Sequence, residues 1–216
     1  MTKITVLGGS GFLGSHLCDL LFQKKFRVII YDKKKSKYLN NNQKFIEGDI
    51  LDKNRLFKAI KGADYVFNFA GAANMDDLKY DPMKTVKSNI QGTVNALEAS
   101  SKFKIKKFIH ASTIYANTEE GGFYGRSKKA AEDYVEEFKK KFNLNYTILR
   151  FGSIFGPRAG ADNGVRQILE NLIKKRKLIY KGTRNSIRRY IYVKDAVKLT
   201  LQSISKKYDN KYLVIT

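Results

Sequence analysis

Tyr124 and Lys128, four residues apart, are the pair in this sequence best suited to moving a proton. On a helix that spacing puts both side chains on one face. A phenol with a pKa near ~10 is a poor base at neutral pH. An ammonium beside it favours the phenolate and lowers that pKa. The same ammonium can hydrogen-bond a ribose. Ser112 and Thr113 follow an apolar run and offer a hydroxyl that can share a substrate oxygen with Tyr124. Such a set can carry a proton on or off a sugar hydroxyl while a hydride passes to a dinucleotide. A tyrosine and a lysine at this spacing are common on surface helices, so the weight of the reading rests on what surrounds them.

The surroundings begin at the N-terminus. Gly8, Gly11 and Gly14 form G-x-x-G-x-x-G in the segment GGSGFLG, after an apolar run and before an amphipathic one. Glycines there allow positive φ and let the backbone approach a pyrophosphate. The N–H groups of the following helical turn, at Phe12, Leu13 and Gly14, are placed to receive the phosphates. A second apolar run ends at Asp32, eighteen residues beyond Gly14. A carboxylate there can accept both adenosine ribose hydroxyls and would repel a 2′-phosphate, which favours NAD over NADP. Lys33, Lys34 and Lys35 could tolerate that phosphate and keep NADP open. Asp49 and Ile50 end a third run, where a side-chain acceptor could meet adenine. Ala70, Gly71 and Ala72 end a fourth, where small residues let a dinucleotide lie across the sheet edge.

The elements that must position these groups follow a regular alternation. Apolar runs at 4–7, 27–31, 44–46, 65–69, 107–110 and 146–149 read as strands covered on both faces. Between them, 11–24, 83–101 and 124–142 read as amphipathic helices. This predicts a doubly wound α/β fold, a Rossmann parallel sheet, over residues 1–155. Residues 156–190 read as elements of a small, incomplete C-terminal substrate lobe, and 191–216 as a return to the sheet. Within the lobe, Asn163 is placed to cap a helix over 164–175. A short strand near 177–180, a polar loop at 182–186, a strand at 190–193, a helix from Asp195 and a strand at 212–215 complete the pattern.

Composition narrows the function classes. No apolar run approaches the roughly 18 residues of a membrane span, and the N-terminal run is too short for a signal peptide. A single cysteine, Cys18, excludes an internal disulfide and predicts a cytoplasmic location. One cysteine and two dispersed histidines, His16 and His110, predict no metal site. The net charge of +22 is the one argument for a nucleic-acid partner. The lysines lie in scattered clusters at 33–37, 102–107, 139–141 and 174–177, mostly near helix ends, where cations suit the helix dipole. Nucleic acid is therefore not the expected partner.

Taken together, the segments GGSGFLG, GDI at 48–50, NFAGAA at 68–73, SNIQGTVNALEA around Asn89, STIYA at 112–116, YGRSK at 124–128, LRFGSIFGPR at 149–158 and RRYIYVKDA at 188–196 carry a resemblance. The chain resembles an extended short-chain dehydrogenase/reductase of the NAD-dependent epimerase/dehydratase family, over essentially its whole length. The resemblance implies an epimerase acting on a nucleotide sugar, with NAD as cofactor, and a homodimer built on the helices at 83–101 and 124–142. Tyr124 then corresponds to the acid/base and Lys128 to its partner. Ser112 or Thr113 corresponds to the substrate-orienting hydroxyl, and Asn89 to the helix asparagine that supports the active-site region. Ser153 stands at a substrate contact, and Arg188, with Arg189 as a substitute, resembles the arginine that holds a nucleotide-sugar phosphate.

The departures are specific. Relatives usually carry Ser or Thr where Ala111 stands, and many carry Asn where Ser153 stands. Relatives that dehydrate sugars carry an acid just after the catalytic threonine, where Ile114 and Tyr115 follow here. A reductase or dehydrogenase of the same substrates remains an alternative. So does a non-catalytic dinucleotide sensor or nucleic-acid binder.

Overall fold

The computed structural model describes residues 1–40, 43–74, 78, 80–179 and 187–216. Its frame is a seven-stranded sheet in the order β3-β2-β1-β4-β5-β6-β9, every neighbouring pair parallel. The strands are β1 (Lys3–Leu7), β2 (Arg27–Asp32), β3 (Lys44–Glu47), β4 (Tyr65–Asn68), β5 (Lys107–Thr113), β6 (Tyr146–Phe151) and β9 (Lys211–Ile215). The order reverses between β1 and β4, so a crevice opens at their carboxyl ends, where such sheets bind ligands.

The strands are apolar on both sides because both sides are covered. Ile4 and Val6 of β1 pack with Leu17, Cys18 and Leu21 of α1 (Phe12–Gln23) and with Ala196 and Val197 of α6 (Val193–Gln202). On the opposite face, Leu7 of β1, Val66 and Phe108 pack with α2 (Lys53–Ile60), α3 (Gly92–Lys102) and α4 (Gly122–Phe142) through Leu56, Leu97 and Val135. The sheet thus separates two cores. A fully buried leucine or phenylalanine in either contributes about 1.5–3 kcal/mol of burial. Lys107, at the start of β5, is buried and donates to the carbonyls of Ser203, Ile204 and Ser205 at 2.8–3.2 Å. These carbonyls belong to the turn that follows α6, so Lys107 ties that turn to the start of β5.

Several local expectations are corrected. The segment predicted as one helix over 83–101 is a helical turn at Pro82–Thr85, a wider π turn at Val86–Gln91 and then α3. α2, with Asp52 capping the Arg55 N–H, was not predicted. α4 begins at Gly122 and α6 at Val193, each two residues earlier than expected. β5 runs through Thr113, so Ser112 and Thr113 sit within the strand and not beyond it. Residues 177–179 form no strand; Tyr180 and the loop at 182–186 lie outside the described residues.

Past Arg150 a second, two-stranded parallel sheet pairs β7 (Ser153–Phe155) with β8 (Tyr190–Tyr192). α5 (Gly164–Lys175) lies between them in sequence, capped by Asn163, whose side chain accepts from the Arg166 N–H. The connecting loop is tied back to α1: Arg158 pairs with Asp19 at 2.7 Å and the Pro157 carbonyl meets the His16 ring at 2.9 Å.

Candidate active site

The glycine turn is built by close contact. Gly8 has φ +76°, and a Cβ there would lie 2.6 Å from the Ala70 nitrogen. A Cβ on Gly14 would lie 2.3 Å from the Gly8 carbonyl oxygen. Gly11 caps α1 with its backbone and no side chain accepts from the first turn. The N–H groups of Phe12, Leu13 and Gly14 therefore face the crevice as an anion site. Within the turn, the Ser10 hydroxyl oxygen is buried without a hydrogen-bond partner. The cradle and this orphaned hydroxyl fit a dinucleotide phosphate.

Asp32 stands at the end of β2, next to the turn. One of its oxygens accepts the Ser10 N–H at 3.0 Å and the other faces the Lys34 N–H at 3.4 Å. Asp49 pairs with Lys33 at 2.8 Å and accepts the Leu51 N–H at 3.0 Å. Its carboxylate is thus already engaged, and so is the first of the three lysines beside Asp32. Ile50 is buried, and its carbonyl receives the Asn95 amide at 3.1 Å.

Ala70, Gly71 and Ala72 follow β4 across the crevice. Asn89, fully buried in the π turn, grips the Ala72 backbone from both sides: its Oδ1 accepts the Ala72 N–H at 2.7 Å and its Nδ2 donates to the Ala72 carbonyl at 3.0 Å. Nδ2 also donates to Ser127 Oγ at 2.9 Å, and Ser127 in turn donates to the Tyr124 carbonyl at 2.8 Å. The wide turn, a common device at functional sites, thus lets one side chain fasten the cofactor edge of the sheet to the start of α4.

On α4, Tyr124 and Lys128 face the end of β5. The Thr113 side chain lies beside the Tyr124 phenol, close enough to lower its pKa, and both line the same cleft. Lys128 Nζ donates to the Ala111 carbonyl at 2.9 Å. Burial pushes the Tyr124 phenol up to about 12, against a smaller lowering by Thr113. Burial pulls the Lys128 ammonium down to about 8, against the opposing pull of Glu132. The resting phenol is therefore protonated at neutral pH, the opposite of the lowering expected beside an ammonium, and must be ionised before it can act as a base; the ammonium is close to its titration point.

Two adjacent hydroxyls on β5 have different surroundings. Thr113 meets Tyr124, whereas Ser112 Oγ donates to the buried Glu132 carboxylate at 2.5 Å. Side chains alternate across a strand, so Thr113 shares a side with Ala111, and Ser112 does not. Of the two candidates for the orienting hydroxyl, Thr113 is the one at the phenol.

A cleft of about 450 Å³ brings Gly8, Gly11, Phe12, Leu13, Gly14, Gly71, Ala72, Ser112, Thr113, Tyr124 and Lys128 to one surface. Gly152, Ile154 and Asn163 close its far end; Ser153 and Arg188 are not among its walls. Ser153 is half-buried at the start of β7, and Arg188 reaches the Tyr115 hydroxyl at 3.2 Å. Arg189 is exposed and gives its backbone carbonyl to the Ser153 N–H. A larger hollow of about 760 Å³ lies between the C-terminal ends of α3 and α4, lined by Ile105, Phe138 and Phe142. It is at the opposite edge of the sheet from every group described above, so the smaller cleft is where the chemistry converges.

Three participants were missed from sequence: Ser10, Ser127 and Glu132. Glu132 had a usable signal, since it stands four residues after Lys128 and eight after Tyr124, on the same helical face. Cys18 is buried in the α1 core, and burial pushes its thiol up. Among the described residues no group of three His, Cys, Asp or Glu side chains could hold a metal, and no helix is long and apolar enough to cross a membrane.

Known proteins are similar to this chain in sequence and fold. Residues 4–215 match the NAD dependent epimerase/dehydratase family. A putative UDP-glucose 4-epimerase of Methanocaldococcus jannaschii is 30% identical over 94% of this chain and 74% of its own. The crystal structure of UDP-glucose 4-epimerase from Thermotoga maritima, with UDP-glucose, superposes with a TM-score of 0.91 at 32% identity, covering 99% of this chain and 76% of that one. UDP-glucuronic acid 4-epimerase from Bacillus cereus, in complex with UDP-glucuronic acid and NAD, gives 0.89 at 26% identity, with 99% and 77% covered. The chain belongs to the NAD dependent epimerase/dehydratase family.

Proposed function

We propose that this chain is an NAD-dependent epimerase of a nucleotide sugar, with Tyr124 as its acid/base. The observation that carries the reading is the gathering of Thr113, Tyr124 and Lys128, one turn after Tyr124, in the same cleft as the glycine turn. Bound NAD supplies reversible oxidation of a sugar carbon. The chain's own residues do the rest. The N–H groups of Phe12, Leu13 and Gly14 hold the pyrophosphate, and Asp32 accepts the adenosine ribose hydroxyls. Thr113 orients the reacting sugar hydroxyl against Tyr124, which takes its proton and later returns it. The Lys128 cation favours the phenolate that takes the proton and that is restored when the proton is returned; in between, Tyr124 is the neutral phenol. Arg188, hydrogen-bonded to the Tyr115 hydroxyl, is the proposed partner of the nucleotide phosphates.

Epimerisation is favoured over dehydration because Ile114 and Tyr115 stand where relatives that dehydrate sugars carry an acid. A homodimer built on α3 and α4 is part of the same reading. Exposed Phe123, Tyr134 and Phe142 on α4 support it. The single buried cysteine suits a reducing, cytoplasmic setting.

The test is incubation of the purified protein with NAD and a panel of UDP-hexoses and UDP-hexuronic acids, followed by NMR of the sugar ring protons. The expected result is conversion between two epimers with no net NADH. Stoichiometric NADH would replace the epimerase with a dehydrogenase, and a deoxy-keto product would replace it with a dehydratase.

A further inference from the structure

Glu132 is a fully buried carboxylate at the centre of a chain of polar contacts that the chemistry above leaves unused. Oε1 accepts from Ser112 Oγ at 2.5 Å and from Arg150 Nε at 2.9 Å; Oε2 accepts from the Arg150 guanidinium at 2.6 Å. Arg150, on β6, lies 4.4 Å from the Tyr212 ring centroid on β9, and the Tyr212 hydroxyl donates to Glu136 at 2.9 Å. Lys128 stands one turn before Glu132 on α4, and its Nζ donates to a neutral carbonyl, that of Ala111.

We propose that Glu132 is a positioning residue that sustains the positive charge of Lys128, and that Arg150 and Ser112 fix its carboxylate for that task. The inference rests on the reading of Lys128 given above.

The charges around the site make the argument. From α4 come Tyr124, Lys128, Glu132 and Glu136; from β5 comes His110, from β6 Arg150 and from β9 Tyr212. His110 is fully buried, stacked on Phe108, and burial holds it uncharged. Glu136 is turned towards Tyr212. The buried Glu132 carboxylate is thus in direct contact with one cation, Arg150, and stands one helical turn from a second, Lys128. A guanidinium does not release its proton, whereas a buried ammonium does so readily. If Glu132 loses its charge, Lys128 is the group that yields. The direction agrees with the raising effect of Glu132 on Lys128. A tie between α4 and β6 alone would not require the acid to sit one turn from the catalytic lysine.

The experiment is competitive trace acetylation of the free protein from pH 6 to 11, read peptide by peptide by mass spectrometry, with exposed Lys141 as internal control. Three proteins are compared: wild type, Glu132→Gln and the double variant Glu132→Gln/Arg150→Met. The double variant removes the stranded guanidinium along with the acid, so it decides the matter even if Glu132→Gln alone fails to fold. The labelling midpoint of Lys128 is expected to fall by about one pH unit or more in Glu132→Gln. It is expected to stay below wild type in the double variant while the melting temperature recovers. A midpoint equal to wild type in either folded variant overturns the proposal and leaves Glu132 as the counter-charge of Arg150 only. Lys128→Met separates the two readings. Full turnover in that variant would remove Lys128 from catalysis without altering the labelling result.

Discussion

Helices α1 and α5 are each twelve residues long and each carries leucines along one side, yet α1 buries six residues and α5 none. Leu17 of α1 is 0% exposed, whereas Ile173 of α5 is 78% exposed. α1 packs on a parallel sheet and against α6, within a core that this chain supplies in full. α5 follows β7 and precedes β8, the two short strands of the separate sheet. The same kind of amphipathic pattern therefore has two outcomes, set by whether a sheet face lies beneath it. The cofactor side of the cleft, with the glycine turn, Asn89, Tyr124 and Lys128, rests on packed structure. The segment bearing α5, which buries no residue, is more open. The solved relatives continue further: this chain spans 76% and 77% of the two epimerases compared above.

The largest expected effect separates chemistry from that packed frame. Tyr124→Phe keeps the ring and removes only the hydroxyl. Epimer interconversion is expected to fall by roughly 10²–10⁴-fold, the usual contribution of a positioned acid/base. NAD affinity by calorimetry and the melting curve are expected to match wild type. A parallel loss of NAD binding would mean that the phenol is part of the cofactor frame and would blur the contrast between the two sides.

Leu17→Ala tests the frame itself. Its side chain has no solvent exposure, so the cavity should lower stability by about 2–5 kcal/mol. Urea unfolding measures it. A change under about 1 kcal/mol would show that α1 is less firmly seated than its burial implies.

Next in size is the response to alkali. With the Lys128 ammonium lowered to about 8, the folded protein loses that charge as pH rises through 8, while the unfolded chain keeps it to about 10.5. Activity is therefore expected to decline above pH 8. Between 8 and 10.5 the unfolded state holds the extra proton, so the Lys128 contribution makes the fold more stable as pH rises. Lost turnover with an intact fold is the expected signature. Loss of both together would point to alkaline unfolding. Asp32→Ala should have a smaller effect, about tenfold weaker NAD binding with little change for NADP, measured by titration of both.

How much of this was legible depends on how local each signal was. The glycine turn, Asp32 and the Tyr124/Lys128 spacing are short-range patterns, and the apolar strands are explained by a sheet covered on both faces. The π turn has no sequence period of its own, so Asn89 could be assigned a role by resemblance but its grip on Ala72 could not be foreseen. The division between Ser112 and Thr113 depends on which side of β5 meets α4 and β6. That is a tertiary fact, carried by Glu132 and Arg150, residues far from Ser112 in sequence. β7 and β8 are three residues each, too short to show an alternation that separates them from loop.

The smallest effect bears most directly on the opening contrast. Ile173 has most of its surface in water already, so Ile173→Ser removes little buried area, and the transfer free energy lost with it is correspondingly small. Surface substitutions of this kind fall within about ±0.5 kcal/mol. Serine lowers helix propensity only slightly relative to isoleucine. Urea unfolding of Ile173→Ser is thus expected to overlay wild type, against the loss of several kcal/mol at Leu17. If Ile173→Ser instead destabilises by 2 kcal/mol or more, the α5 face is covered in solution by something the single chain does not show. An analytical ultracentrifugation run at the same concentration would then tell a second copy of this chain from a rearrangement of its own lobe. An overlaid curve leaves α5 with an apolar face open to water that contributes nothing to the fold that carries Tyr124.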